Sequence, residues 1–255
     1  MKKSPLFILS RVFLIEILRE KWLYGALLVG LALFLMNLAL GSLSFDEQER
    51  IVFHLSFSAI QVIGLAICII FGVSMMTKEV EKQTCLLILA RPLSRGQFLL
   101  AKGISLACFL AIFDFSLGIF LGLLMKGEFL WNNLFSLLLT VWFEHLLILS
   151  LALCAGLFLG KAVAGLLTVG VFLLGHWLPD LEYFAKKSQN FVFELLSKVL
   201  NFVVPHLYEL DQRSIFTLKG GLPQNQLFWS FLHTCGWTFL LFFIASWLWR
   251  KKDLV

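Results

Sequence analysis

The chain has 255 residues, is 60% hydrophobic and 15% charged, and has a mean hydropathy of +0.89. A soluble domain carries about 25% charged residues, so this composition excludes a water-soluble globular fold and points to an all-α polytopic membrane protein. The net charge of +5 does not signal nucleic-acid binding, because the basic residues sit in segments flanking apolar runs, as topology signals do.

The N-terminus imitates a signal peptide, but Arg11, Glu16, Arg19 and Glu20 interrupt its apolar core and no small-x-small cleavage site follows. On a helical wheel these charges share about half the circumference. Leu6, Phe7, Phe13, Leu14, Ile17 and Leu18 occupy the other half, so residues 6–20 are predicted as an interfacial helix. Six transmembrane spans follow, at 22–43, 51–76, 98–125, 130–160, 162–178 and 227–249, in one domain covering 1–255. With six spans both termini share a side. That side holds five Lys or Arg in residues 1–21, five in 78–102, Lys161 and three at 250–252, against seven opposite. Short positive loops face the cytoplasm, which predicts cytoplasmic termini and a cytoplasmic segment between spans 2 and 3. On the outer side the long loop 180–226 carries an amphipathic helix, predicted from Phe184 to Val203, lying on the membrane surface or capping the bundle.

Several chemical signatures are weak. Four of the five cysteines (Cys68, Cys85, Cys108, Cys154 and Cys235) lie in apolar runs, and no close pair suggests a disulfide or zinc site. The histidines at 54, 145, 176, 206 and 233 have no metalloprotease spacing. Gly156–Ala162 approaches a phosphate-binding loop, but it is one residue short, lacks the magnesium-binding hydroxyl and sits in an apolar helix. No catalytic, cofactor or metal site is therefore predicted, and energy from ATP would have to come through a partner. Gly118 with Gly122, and Gly156 with Gly160, have the spacing that lets transmembrane helices approach closely. Asp114, Glu144 and His145 are ionisable residues at membrane depth on neighbouring antiparallel spans. Such groups need a partner or a wet cavity, which makes them either an interhelical clamp or a substrate or proton path.

The densest polar island is Lys78–Lys102, with seven charged side chains. Helix can continue from the second span to about Ala90, and Leu86, Leu87 and Leu89 make that end more apolar than solvation favours. Pro92 disfavours helix at Arg91, and Ser94 with Gln97 fits a capping box that opens the third span. Helix, turn and helix make either a rigid apolar knob for a cytoplasmic partner or a turn dipping back into the interface.

The pattern formed by Glu81, Thr84, Leu89, Pro92, Ser94, Arg95, Phe98 and Lys102 resembles the coupling segment of ABC transporter permeases of the type-2 exporter class. Val204-Pro205-His206-Leu207 with Asp211, and the ending Trp249-Arg250-Lys251-Lys252-Asp253-Leu254, are similar to further segments of that class. The nearest likeness is to permeases of nitrous-oxide-reductase maturation and gliding motility. The resemblance implies a half-transporter in a bacterial inner membrane, paired with a second permease as homo- or heterodimer. It also implies separate cytoplasmic ATPase subunits, which hold the ATP and Mg and dock on 78–95 as a coupling helix. The coupling residues implied are Glu81, Thr84, Leu87, Arg91, Pro92 and Arg95. A contrasting possibility is a membrane scaffold that passes ATPase-driven motion to a periplasmic protein.

Overall fold

A computed structural model describes residues 5–20, scattered positions between 24 and 39, and residues 48–81, 94–124, 128–213 and 224–251. Among these the protein is all-helical. The α-helices are α1 (Pro5–Arg19), α2 (Gln48–Glu81), α3 (Arg95–Leu124), α4 (Glu128–Phe158), α5 (Lys161–Ser188), α6 (Phe191–Val203) and α7 (Gln224–Lys251), with a 3₁₀ turn at Leu207–Glu209. Five of them (α2, α3, α4, α5 and α7) are long and apolar enough to cross a membrane. The expected span 22–43 lies largely outside the described residues, although the positions described between 24 and 39 are helical.

Helix α4 is the hub, packing against α2, α3, α5 and α7. Its inner stripe of Leu147, Ile148, Ala152, Leu153 and Leu157 is buried, whereas α7 exposes Phe228, Trp229, Phe239, Phe243 and Trp247. In a membrane bundle such an apolar face suits lipid or a second subunit. Glycines set the closest approaches. A side chain at Gly156 would meet the Val73 carbonyl oxygen at 2.9 Å, and one at Gly118 would clash with Leu138, so both serve packing within this chain.

Helix α1 packs along α3 through Phe13 and Ile17, and Ser105 Oγ donates to the Ser10 carbonyl at 2.8 Å. Phe7 and Leu18, also on the apolar half of the wheel, are exposed beside Ile8, Val12 and Ile15. The burial stripe is set by contact with α3, not by the charge pattern, and it is narrower than the apolar half of the wheel.

Two boundaries also differ from expectation. Helix α5 does not stop near Leu178 but continues through Pro179 to Ser188. Its buried stripe of Ala164, Thr168, Gly175, Leu178 and Ala185 runs straight past the proline, so packing outweighs the lost backbone bond. The amphipathic helix expected from Phe184 is split instead. Gln189 adopts a left-handed conformation (φ 52°), and Asn190 then caps α6 by accepting from the Val192 amide at 3.0 Å. Past α6 the chain turns back into the bundle. Val204, Pro205, Leu207 and Leu210 are buried there, and the Pro205 carbonyl and Leu207 sit against Gly175, where a Cβ would meet both at 2.8 Å.

Candidate functional site

Two regions gather the polar side chains of the bundle. The first is the stem of the polar bridge. Of the residues implied there, Thr84, Leu87, Arg91 and Pro92 lie outside the described residues, while Glu81 ends α2 and Arg95 opens α3. The capping box is formed. The Ser94 amide donates to Gln97 Oε1 at 3.0 Å, and the Gln97 amide donates to Ser94 Oγ at 3.2 Å. Arg95 donates to the Trp249 carbonyl at 2.5 Å, tying the start of α3 to the end of α7.

Lys102 and Phe98 form the anchor of this stem. Lys102 is 1% exposed, and its ammonium lies 2.8 Å from Glu79 Oε1 and about 5 Å above the rings of Phe13 and Phe98. A buried lysine is tolerated only when paired and hydrogen-bonded, and the aromatic faces add cation–π attraction. Phe98 is itself buried between Phe13 and Trp249, with ring centroids 5.5 Å from each. The bridge is thus held at both ends, by one ion pair joining α2 to α3 and by an aromatic cluster joining α1, α3 and α7.

The second region lies about 30 Å along α3 from Ser94, in the middle of the bundle. The structure brings Asp114 of α3 and His145 of α4 together, Nδ1 to Oδ2 at 2.8 Å. The other ring nitrogen of His145 faces the Gln61 backbone carbonyl of α2 at 3.1 Å. Glu144 turns to different neighbours. Gln61 Nε2 donates to its Oε2 at 2.7 Å, and His176 of α5 places Nε2 at 3.4 Å from Oε1, out of line for a hydrogen bond as drawn. Asp114, Glu144 and His145 are all essentially inaccessible, at 0–1% exposure.

Four helices therefore meet in one polar chain, Asp114–His145–Gln61–Glu144–His176. Gly64 makes room for it, because a Cβ there would lie 2.0 Å from His145 Cε1. At the His176 end the chain nears the returning segment. There Arg213 pairs with Asp211 and donates to Ser58 Oγ at 2.6 Å. Burial alone would raise the Asp211 carboxyl, but the Arg213 guanidinium outweighs it and holds the group below its usual range; Arg213 is raised in turn. Among the described residues no three His, Cys, Asp or Glu side chains are placed to hold a metal ion.

A family model described as "ABC-2 family transporter protein" matches residues 18–254. The chain belongs to the ABC-2 transporter family. It is a multi-pass membrane permease of that family, with five helices long and apolar enough to cross a membrane among its described residues. A search of curated proteins returned no match. Members of the family are membrane subunits that work with ATPase subunits. In this permease α3 carries the capping box, Lys102 of the ion pair and Asp114 of the core chain, while α2 carries Glu79 of the ion pair and Gln61 of the core chain. Gln61 and His176 were not marked out by sequence: one is an amide on an apolar helix, the other a lone histidine, and neither has a spacing that announces its partner.

Proposed function

We propose that this permease couples ATP hydrolysis by separate cytoplasmic ATPase subunits to export or translocation of a substrate across a bacterial inner membrane. The family match over residues 18–254 carries this reading. It works as half of a transporter, paired with a second copy or a paralogue, with both termini in the cytoplasm. Within that family this reading groups it with the permeases of nitrous-oxide-reductase maturation and gliding motility, which its coupling segment resembles. The ATPase docks on 78–95, with Glu81, Thr84, Leu87, Arg91, Pro92 and Arg95 at the contact. ATP and Mg belong to that partner, and this chain acts as the moved element, not as an enzyme.

What supports this placement is the stem. A docking segment transmits force only if its ends are fixed, and the Glu79–Lys102 pair fixes them to each other. Displacement of the bridge would then pass along α2 and α3 to Gln61 and Asp114, both gripped by α4. The Leu87→Asp variant tests this. It should insert in the membrane as wild type does and lose the ATPase in a pull-down; retained association would sink the docking assignment.

A second reading has one observation in its favour. Helix α6 exposes Phe191, Val192, Leu195, Leu196, Val199 and Phe202, while Ser197 is buried. Such a face suits a lipid surface or a periplasmic protein, as a non-transporting scaffold would require. Substrate-stimulated ATPase activity in a reconstituted complex marks the transporter; a stable periplasmic partner without such stimulation marks the scaffold.

A further inference from the structure

The ionisable side chains of the bundle core have a proton count that their neighbours dictate. Backbone carbonyl oxygens only accept hydrogen bonds. His145 Nε2 faces the Gln61 carbonyl, so that nitrogen carries a hydrogen. Its Nδ1 faces Asp114 Oδ2 at 2.8 Å, and the contact needs one further proton, on either atom. His176 places Nδ1 at 3.1 Å from the Phe172 carbonyl, but its Nε2, 3.4 Å from Glu144 Oε1, is out of line for a hydrogen bond and dictates no proton there. Without a proton between them, Asp114 and His145 set an imidazole lone pair against a carboxylate in a dry interior. Asp114 Oδ1 and Glu144 Oε1 accept no hydrogen bond, which leaves an ionised form of either acid poorly solvated.

We infer that this core is a proton-binding site, with one proton shared by Asp114 and His145 and loaded from the side of the 204–213 segment. The ligand is a proton because the site has little room for more: the His145 ring fills the space beside Gly64. Access is one-sided. His176 is 18% exposed and Asp211 and Arg213 about a quarter, whereas Asp114 is 0% exposed at the far end.

The surrounding groups do not supply the missing proton. From α2 come Gln61, an amide, and Cys68, which donates its own hydrogen to the His145 carbonyl at 3.4 Å. From the returning segment, Asp211 and Arg213 lie within electrostatic reach of Glu144, and Asp211 of His176 as well, but they pair with each other. On α7, His233 stacks on His206 with ring centroids 5.9 Å apart.

The sign follows from linkage. Above about pH 7 the unfolded chain lacks this proton, because its carboxyls are ionised and its histidines neutral. The folded chain holds it, so stability falls as pH rises. The pair contributes roughly 3–5 °C per pH unit to the melting midpoint.

The test is a melting series on the detergent-purified full chain from about pH 5 to about pH 10, which brackets histidine titration. Wild type is compared with Asp114→Asn, in which the amide can donate to the imidazole, so the contact persists without a titrating proton. Above about pH 7 the variant should lose the downward slope. A wild-type midpoint with no such slope overturns the inference, as does a variant whose profile runs parallel to wild type. If the variant does not fold, the wild-type slope still decides.

Discussion

Gly64 offers the most direct structural perturbation of the core chain. A Cβ at this position would lie 2.0 Å from His145 Cε1, 2.5 Å from Nε2 and 2.7 Å from Nδ1. No rotation of a methyl group relieves such contacts, so Gly64→Ala must push the imidazole aside. That breaks its contacts with Asp114 and the Gln61 carbonyl together. Overpacking costs about 1–3 kcal/mol, and a buried polar group left without its partner costs about 1–3 kcal/mol more. A loss near 4 kcal/mol corresponds to roughly 8–16 °C in melting midpoint for a chain of this size. Gly170→Ala is the control, because nothing lies within 4 Å of a Cβ there. Both variants are read by thermal melting in detergent. A Gly64→Ala midpoint within about 3 °C of wild type, less than 1–2 kcal/mol, would refute the account of the core.

Other perturbations test the remaining contacts. Lys102→Met leaves Glu79 without its main partner beneath the aromatic cluster and should cost about 3 kcal/mol; adding Glu79→Gln should recover much of that in unfolding measurements, and an unchanged deficit would contradict the pairing. Asp211→Asn removes the partner of Arg213 and should speed hydrogen exchange across 205–213. Because the Asp211 carboxyl is held low in the folded state, its contribution is present above the usual carboxylate range and lost as pH falls through the depressed value; acid-stable protection of 205–213 would contradict this. Gly175→Ala, which places a Cβ 2.8 Å from Leu207 and from the Pro205 carbonyl, should lift the same segment and cost about 1–3 kcal/mol.

The parts of this molecule that were legible in sequence are those fixed by local chemistry. Ser94 and Gln97 announce their cap because both bonds form within one helical turn. Asp114 and His145 invite pairing because neighbouring antiparallel spans place them at similar depth. What escaped depends on how distant elements pack. Helix α5 passes through Pro179 because its buried stripe continues beyond it, which no proline rule foresees. The break at Ser188-Gln189-Asn190 is ordinary polar turn chemistry, hidden inside a wheel that looked amphipathic throughout. His176 reaches Glu144 only because α5 lies against α4. The return of 204–213 into the bundle depends on a groove at Gly175 contributed by another helix.

The segment between α2 and α3 is proposed as the place where a P-loop ATPase engages this permease. A chain keeping Cys85 as its only cysteine tests it directly, with its partner P-loop ATPase reconstituted in the same membranes. A bifunctional thiol–amine crosslinker should join Cys85 to the ATPase, more strongly when nucleotide is bound. A chain whose only cysteine is placed at Leu195 of α6 should give no such product. Crosslinking from α6 with none from Cys85 would contradict the claim.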